Sequence, residues 1–269
     1  MRKFFLTLMM GAISSVSFAQ QSTEFGYNIG VSNYWGDLQP SNVTYRDVGF
    51  STGFFVRQNI NSFLAVRGNL NYGRVHASDA NSQVQSHMLR NLSFRSHIVE
   101  FGGDFEFSIL PYDKFNPSNK KYRKYFNFTP YFFGGFSVFH FNPKAFYKNE
   151  WVELQPLQTE GKHYNLTQIS IPFGMGLKWQ FTKNFSMAFE TGYRKTFTDY
   201  LDDVSSTYPD LVAMHAANPK AAKLSFRGDE LQHPEPTPTA GSLRGMSTNM
   251  DWYVMSHLSV IYKIQPKRK

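Results

Sequence analysis

The chain has no cysteine. A disulfide framework, a thiolate nucleophile and a Cys-ligated metal site are therefore excluded. Charge is scarce, at 18% of residues, and the mean hydropathy is −0.41. Beyond the N-terminus no apolar run reaches the roughly 20 residues that a helical span needs, which excludes a polytopic helical membrane protein. Catalytic signatures are missing too. The eight histidines are scattered, with no H-E-x-x-H pair, no G-x-S-x-G elbow and no phosphate loop. Neither a tandem repeat nor a second domain is evident.

Aromatic residues are abundant instead: 27 Phe, 15 Tyr and 4 Trp, or 17% of the chain. Such a content beside so little charge suits a membrane β-barrel, whose aromatic girdles mark both interfaces. The N-terminus reads as an export signal over residues 1–19. Arg2 and Lys3 are basic, residues 4–17 are apolar, and Ser17-Phe18-Ala19 is a small-x-small site with cleavage expected before Gln20. With no later apolar span, any membrane crossing must be made of strands.

Period-two alternation defines those strands. Phe25, Tyr27, Ile29 and Val31 share one face, and Gly26, Asn28, Gly30 and Ser32 the other. The same pattern recurs around Phe54, Leu70, Phe105, Met175 and Phe189. Residues 128–140 and 252–262 alternate less cleanly, and Phe55, Phe133 and Ile261 break the rule. Eight segments result, each long enough to cross a bilayer at a tilt. The expected fold is all-β, an eight-stranded antiparallel transmembrane outer-membrane barrel over residues 20–269, with the termini in the periplasm. The apolar face would meet lipid and the polar face the lumen. Inward positions then hold Arg57, Arg67, Lys178 and Arg194 against Glu100, Asp104, Glu106 and Glu190. A bore this narrow is filled by side chains, so these charges are expected to pair.

Connections alternate in length. Residues 59–62 and 182–184 are tight turns, while 36–47, 77–91, 141–165 and 195–250 are long. In the last of these a helix is expected over 209–217, capped by Thr207 and stopped by Asn218-Pro219. Residues 110–127 are the exception, a long connection on the short-turn side. Lys114, Lys120, Lys121, Arg123 and Lys124 lie there among aromatics, a candidate docking patch for an acidic partner.

Sites for chemistry are few. His76, Ser78 and Asp79, and Ser96-His97, sit at barrel rims where a lipid A-modifying enzyme would place Ser and His. Glu150, Glu153, Glu160, Asp199, Asp202 and Asp203 offer carboxylates to a hard cation but lack ordered ligand spacing, so internal pairing or solvation is expected. Asp37 and Asp199 are expected to fold their own loops through side chain to backbone hydrogen bonds. No catalytic, cofactor or metal residues are assigned. An exported barrel does not meet cytoplasmic nucleic acid, so neither nucleic acid nor a small-molecule substrate is expected.

Specific motifs go further. Tyr131-Phe132-Phe133-Gly134-Gly135-Phe136, Trp151-Val152-Glu153-Leu154-Gln155-Pro156, Arg194-Lys195-Thr196-Phe197-Thr198-Asp199-Tyr200-Leu201-Asp202-Asp203 and Asn33-Tyr34-Trp35-Gly36-Asp37-Leu38 resemble the PorG-type outer-membrane barrel of the type IX secretion system. That resemblance implies a non-catalytic barrel without a cofactor, a structural component of the secretion complex. It also implies association from the periplasmic side with a ring formed by a lipoprotein and its partner. The alternative is a general structural or adhesive outer-membrane barrel.

Overall fold

Side chains that alternate between apolar and polar favour extended backbone only if each face meets a different environment. A computed structural model describes residues 22–39, 47–110 and 128–264 and meets that condition by closing the sheet on itself. The strands are β1 (Thr23–Trp35), β2 (Gly49–Asn59), β3 (Leu64–Ser78), β4 (Ser93–Ser108), β5 (Phe128–Tyr147), β6 (Glu150–Glu153), β7 (Thr167–Gln180), β8 (Phe185–Thr196) and β9 (Trp252–Ile264). All pairings are antiparallel, and β1 pairs with both β2 and β9. β4 pairs with β5, and the ring runs β1-β2-β3-β4-β5-β7-β8-β9. This is the eight-stranded barrel that the alternation implied. The expected signal segment over residues 1–19 and the expected Lys114, Lys120, Lys121, Arg123 and Lys124 docking patch lie outside the described residues.

The outer wall is apolar on every strand of the ring. Phe25, Phe54, Leu70, Phe101, Phe136, Met175, Phe189 and Leu258 are all exposed, up to 75% for Phe136. A water-soluble monomer rarely carries so large an apolar surface. As the wall of a bilayer-embedded barrel it faces hydrocarbon. Aromatics gather at both ends: Phe63, Trp179, Phe181, Phe185 and Tyr262 near the short turns, and Trp35, Tyr193, Phe197 and Trp252 at the opposite rim. No helix among the described residues is long and apolar enough to cross a membrane.

Several expected boundaries move. The turn between β2 and β3 is residues 60–63, one residue later than expected, and that between β7 and β8 is residues 181–184, beginning one residue earlier than expected. The connection expected over 141–165 begins as strand. β5 runs on to Tyr147, turns through Lys148 and Asn149 at φ of 46° and 69°, and returns as β6. Two consecutive positive φ values make the reversal that best matches strand twist. Lys144 pairs with Glu153 at 2.8 Å, and Phe146 packs on Trp151, which holds the hairpin together. In the last long connection two helices form, α2 (Leu211–Ala217) and α3 (Pro219–Ser225), after the six-residue α1 (Gln85–Arg90) in the second. Asp210, not Thr207, caps α2 by accepting from the amides of Val212 and Ala213. Asn218-Pro219 does not stop the helical run. Asn218 accepts from the Ala221 amide and Pro219 takes the first position of α3, where a missing N–H costs nothing.

The residues that broke the alternation share the inward parity. Phe55, Phe133 and Ile261 are buried in the bore. Glycine makes room for two of them. A Cβ on Gly26 would stand 2.0 Å from the Phe55 ring, and one on Gly192 would stand 2.6 Å from the Phe133 ring. The small residues on the inner face are thus seats for lumen aromatics.

Candidate functional site

The bore and the cap above it are the two places where polar chemistry concentrates. The structure brings all eight expected lumen charges together. Arg57 lies between Glu24 at 2.9 Å and Glu106 at 2.8 Å. Arg67 reaches Asp104 at 2.9 Å, Glu106 at 3.1 Å and Glu190 at 2.5 Å. Lys178 lies 3.5 Å from Glu24, and Arg194 3.2 Å from Glu100. All are almost completely buried. A lone charge in such an interior is costly, and these are offset by direct partners and by neutral donors. Asn59 donates to Glu24, Asn69 to Asp104, Asn71 and Tyr253 to Glu100, and Tyr131 to Glu190. The aromatic plates add a further layer. The Arg57 guanidinium stands 4.8 Å over the Phe55 ring, and Arg67 lies between Phe55 at 5.3 Å and Phe133 at 5.0 Å. Cations over ring faces are stabilised by the ring quadrupole.

Sequence reasoning missed Glu24, Tyr131, Tyr253 and the two phenylalanine plates. Parity would have found Glu24, Tyr131 and Tyr253, since each lies on the inward set of its strand, but not the plates, whose glycine seats lie on other strands.

At the long-loop end the bore closes under an apolar plug. Val75, Phe94, Ile98, Phe139 and Phe141 from the strands pack with Leu201, Val204 and Leu224 from the last connection. Two arginines tie the cap above this plug. Arg90 chelates Asp79 through Nε at 2.9 Å and Nη2 at 2.8 Å, and also donates to the carbonyls of Asp37 and Arg244. Arg244 donates to Glu160 at 3.0 Å, to the Asp203 carbonyl at 2.6 Å and to the Ser225 carbonyl at 3.0 Å. Glu160 in turn accepts from the amides of Ser205 and Ser206. All four long connections therefore meet on two guanidinium groups.

The acidic residues of the cap are not equivalent. Glu153 and Glu150 are surface partners of Lys144 and Lys220. Arg244 and the Ser205 amide hold Glu160 below the usual carboxylate range despite its burial. Asp203 accepts from Thr159 at 2.5 Å and Tyr164 at 2.7 Å, yet burial pushes it up to about 6. Burial likewise pushes Asp199 up to about 7, against a contact with Ser205 that favours the charge. Asp202 accepts from the Tyr34 hydroxyl at 2.6 Å, and that hydroxyl also lies 3.2 Å from Asp251. Both carboxyls are raised well above the ordinary range by burial and then by their acidic neighbours. No group of three or more metal-ligating side chains in metal-binding geometry occurs among the described residues.

The expectation for Asp37 and Asp199 is corrected. Asp37 accepts from the amide of Met246, on a different loop, because the cap folds between connections rather than within them. Neither carboxyl oxygen of Asp199 accepts a hydrogen bond from the backbone of its loop. Among the described residues no hydrogen bond joins His76, Ser78, Asp79, Ser96 and His97 to one another. Asp79 is held by Arg90, Ser96 points inward and accepts from the Asn142 amide, and His97 points outward against Tyr72. His76 also faces outward.

Solved structures of similar topology are outer-membrane barrels. The N-terminal β-barrel domain of Pseudomonas aeruginosa OprF is 11% identical, with 91% of this chain and 100% of that chain covered and a TM-score of 0.39. Neisserial surface protein A is 9% identical, with 91% and 97% covered and a TM-score of 0.40. Ail of Yersinia pestis is 11% identical, with 91% and 98% covered and a TM-score of 0.37. No curated protein matches the sequence. A family model described as a domain of unknown function, DUF6089, matches residues 2–228.

Proposed function

The chain belongs to the DUF6089 family, and from that premise we propose that it is a non-catalytic outer-membrane barrel acting as a scaffold of a type IX protein secretion complex. The observation that carries this reading is the bore. Side chains on opposite strands meet across it, as Arg67 does with Glu190, so the barrel has no passage for a protein. Its contribution to export is then its surface and its position in the membrane, and the translocation pore is another protein. The PorG-type motifs select the machinery, and the apolar wall with its two aromatic girdles supports the outer membrane as the location. Both described chain ends fall at the short-turn end, which is periplasmic in this family of architectures. A periplasmic ring lipoprotein and its partner are the partners that this reading requires.

The runner-up is a structural or adhesive surface protein. The folded cap favours it, since it presents exposed apolar residues such as Leu243 and Val212 outward. Crosslinking and pulldown from outer membranes separates the two. Recovery of secretion-ring proteins, with export lost on deletion, supports the scaffold. Recovery of none, with export intact, favours the surface protein. Within the scaffold reading, changing Lys120, Lys121, Arg123 and Lys124 together to Ser leaves the barrel folded and weakens co-purification of the ring, most at low salt where charge steering is strongest.

A further inference from the structure

A cavity of about 1140 Å³ lies between the cap and the outer rim of β8, β9 and β1. Its floor is one cross-strand row. Lys195 is paired in register with Trp252, and Trp252 with Trp35, whose rings stand 6.4 Å apart. The same row is the top of the lipid-facing wall, so the cavity continues the surface that meets the bilayer. Leu243, Met246 and Met250 line its wall and are 80%, 56% and 40% exposed. Apolar side chains left this open gain from being covered. Three methionine and leucine side chains also make an adaptable surface for a flexible chain. The polar groups around it are mostly committed. Arg90 is bound to Asp79, Arg244 to Glu160, and Asp37 to the Met246 amide. Lys195 is exposed and makes no ion pair among the described residues.

We propose that this cavity is a binding site for one phosphate-bearing lipid of the surrounding membrane. An acyl chain lies along Leu243, Met246 and Met250, the glycerol or sugar backbone rests on the Trp35–Trp252 pair, and the phosphate meets the Lys195 ammonium. The aromatic pair at the rim suits a ligand with one apolar and one wet end. The occupant is a lipid rather than a peptide, because the cavity is continuous with the hydrocarbon-facing wall and holds a single uncommitted cation at the level of the headgroups.

The test uses the full chain in mild detergent and native mass spectrometry. Phosphatidylglycerol is the probe, and diacylglycerol of the same chain length is the phosphate-free control. One retained phosphatidylglycerol per barrel is expected in the wild type. Leu243→Asp with Met246→Asp places charge on exposed positions of the wall and is expected to weaken retention of both probes about tenfold or more. Lys195→Gln is expected to weaken phosphatidylglycerol alone. The heat-modified gel shift confirms that each variant remains a closed barrel. Equal retention by wild type and both variants places the lipid on the barrel wall and overturns the proposal. So does the absence of a retained lipid in the wild type. Loss of diacylglycerol binding in Lys195→Gln overturns the assignment of the phosphate to that side chain.

Discussion

Arg67 on β3 spans the bore to Glu190 on β8, at 2.5 Å, between strands four places apart in either direction around the ring. Tyr253 on β9 and Glu100 on β4 make a second contact of the same kind at 2.6 Å. These struts join walls that no backbone ladder connects, so they fix the cross-section of the barrel as well as filling it.

Removing one end of the first strut should be severe. Arg67→Met leaves Asp104, Glu106 and Glu190 around an apolar side chain. Breaking a buried pair from one side costs about 3–5 kcal/mol. We expect a loss of that size in urea unfolding from lipid vesicles. Arg67→Met combined with Glu190→Gln should recover part of it, because one uncompensated carboxylate is gone. Equal stability of Arg67→Met and wild type would show that the strut contributes nothing net.

The same struts bear on conduction. With Arg67–Glu190 and Tyr253–Glu100 crossing the bore at two levels and an apolar plug above them, purified protein in planar bilayers should stay at baseline current. Large, stable single-channel steps would contradict this and would reopen a pore function for the chain itself.

The outer wall should follow the depth rule for lipid-facing charge. Phe105 sits near the centre of the exposed run from Val99 to Ile109 and is 70% exposed. Phe105→Arg is expected to cost about 2–4 kcal/mol in a bilayer. Phe173 shares the outer face but stacks on Tyr193 and contacts Trp252 at the rim. There Phe173→Arg should cost only about 0–1 kcal/mol in burial of charge, because the guanidinium reaches the interface. The pair of measurements in vesicle unfolding checks both the orientation and the depth. Equal costs would mean that the two sites lie at the same level.

How much of this could be read from the sequence divides along one physical line. Period two is a local signal, so the eight strands and the inward set from Arg57 to Arg194 were legible residue by residue. Phe55 and Phe133 were legible as exceptions but not as plates, because their seats, Gly26 and Gly192, lie on other strands. The cap was not legible. Arg90 and Arg244 meet carbonyls and carboxylates up to 154 residues away, and nothing periodic marks them. Its helix ends were misplaced for a related reason. Asn218-Pro219 stops a helix locally and starts one equally well, and only the packing of Ala221, Ala222 and Leu224 decides which.

The cap should respond to pH in the opposite sense to an ordinary salt-bridged domain. Asp203 at about 6 and Asp199 at about 7 are raised by burial, and Asp202 and Asp251 are also raised well above the ordinary range, with one tyrosine hydroxyl to share between them. A carboxyl raised on folding stabilises the fold while protonated. Its contribution is complete below the unfolded value of about 4 and is lost as pH rises through the folded one. Glu160 is lowered and acts the other way, but only as pH falls through the carboxylate range. Between pH 5 and pH 8 the raised group dominates. Amide exchange in the last connection is therefore expected to quicken across that interval by more than base catalysis alone explains, while the barrel strands stay protected. Asp199→Asn removes one of the titrating groups. It should slow cap exchange at pH 8, by an amount equivalent to roughly 1–3 kcal/mol, and have a distinctly smaller effect at pH 5, where the folded carboxyl is still protonated. If Asp199→Asn instead loosens the cap at both pH values, the carboxylate is charged in the folded protein and is held by a partner.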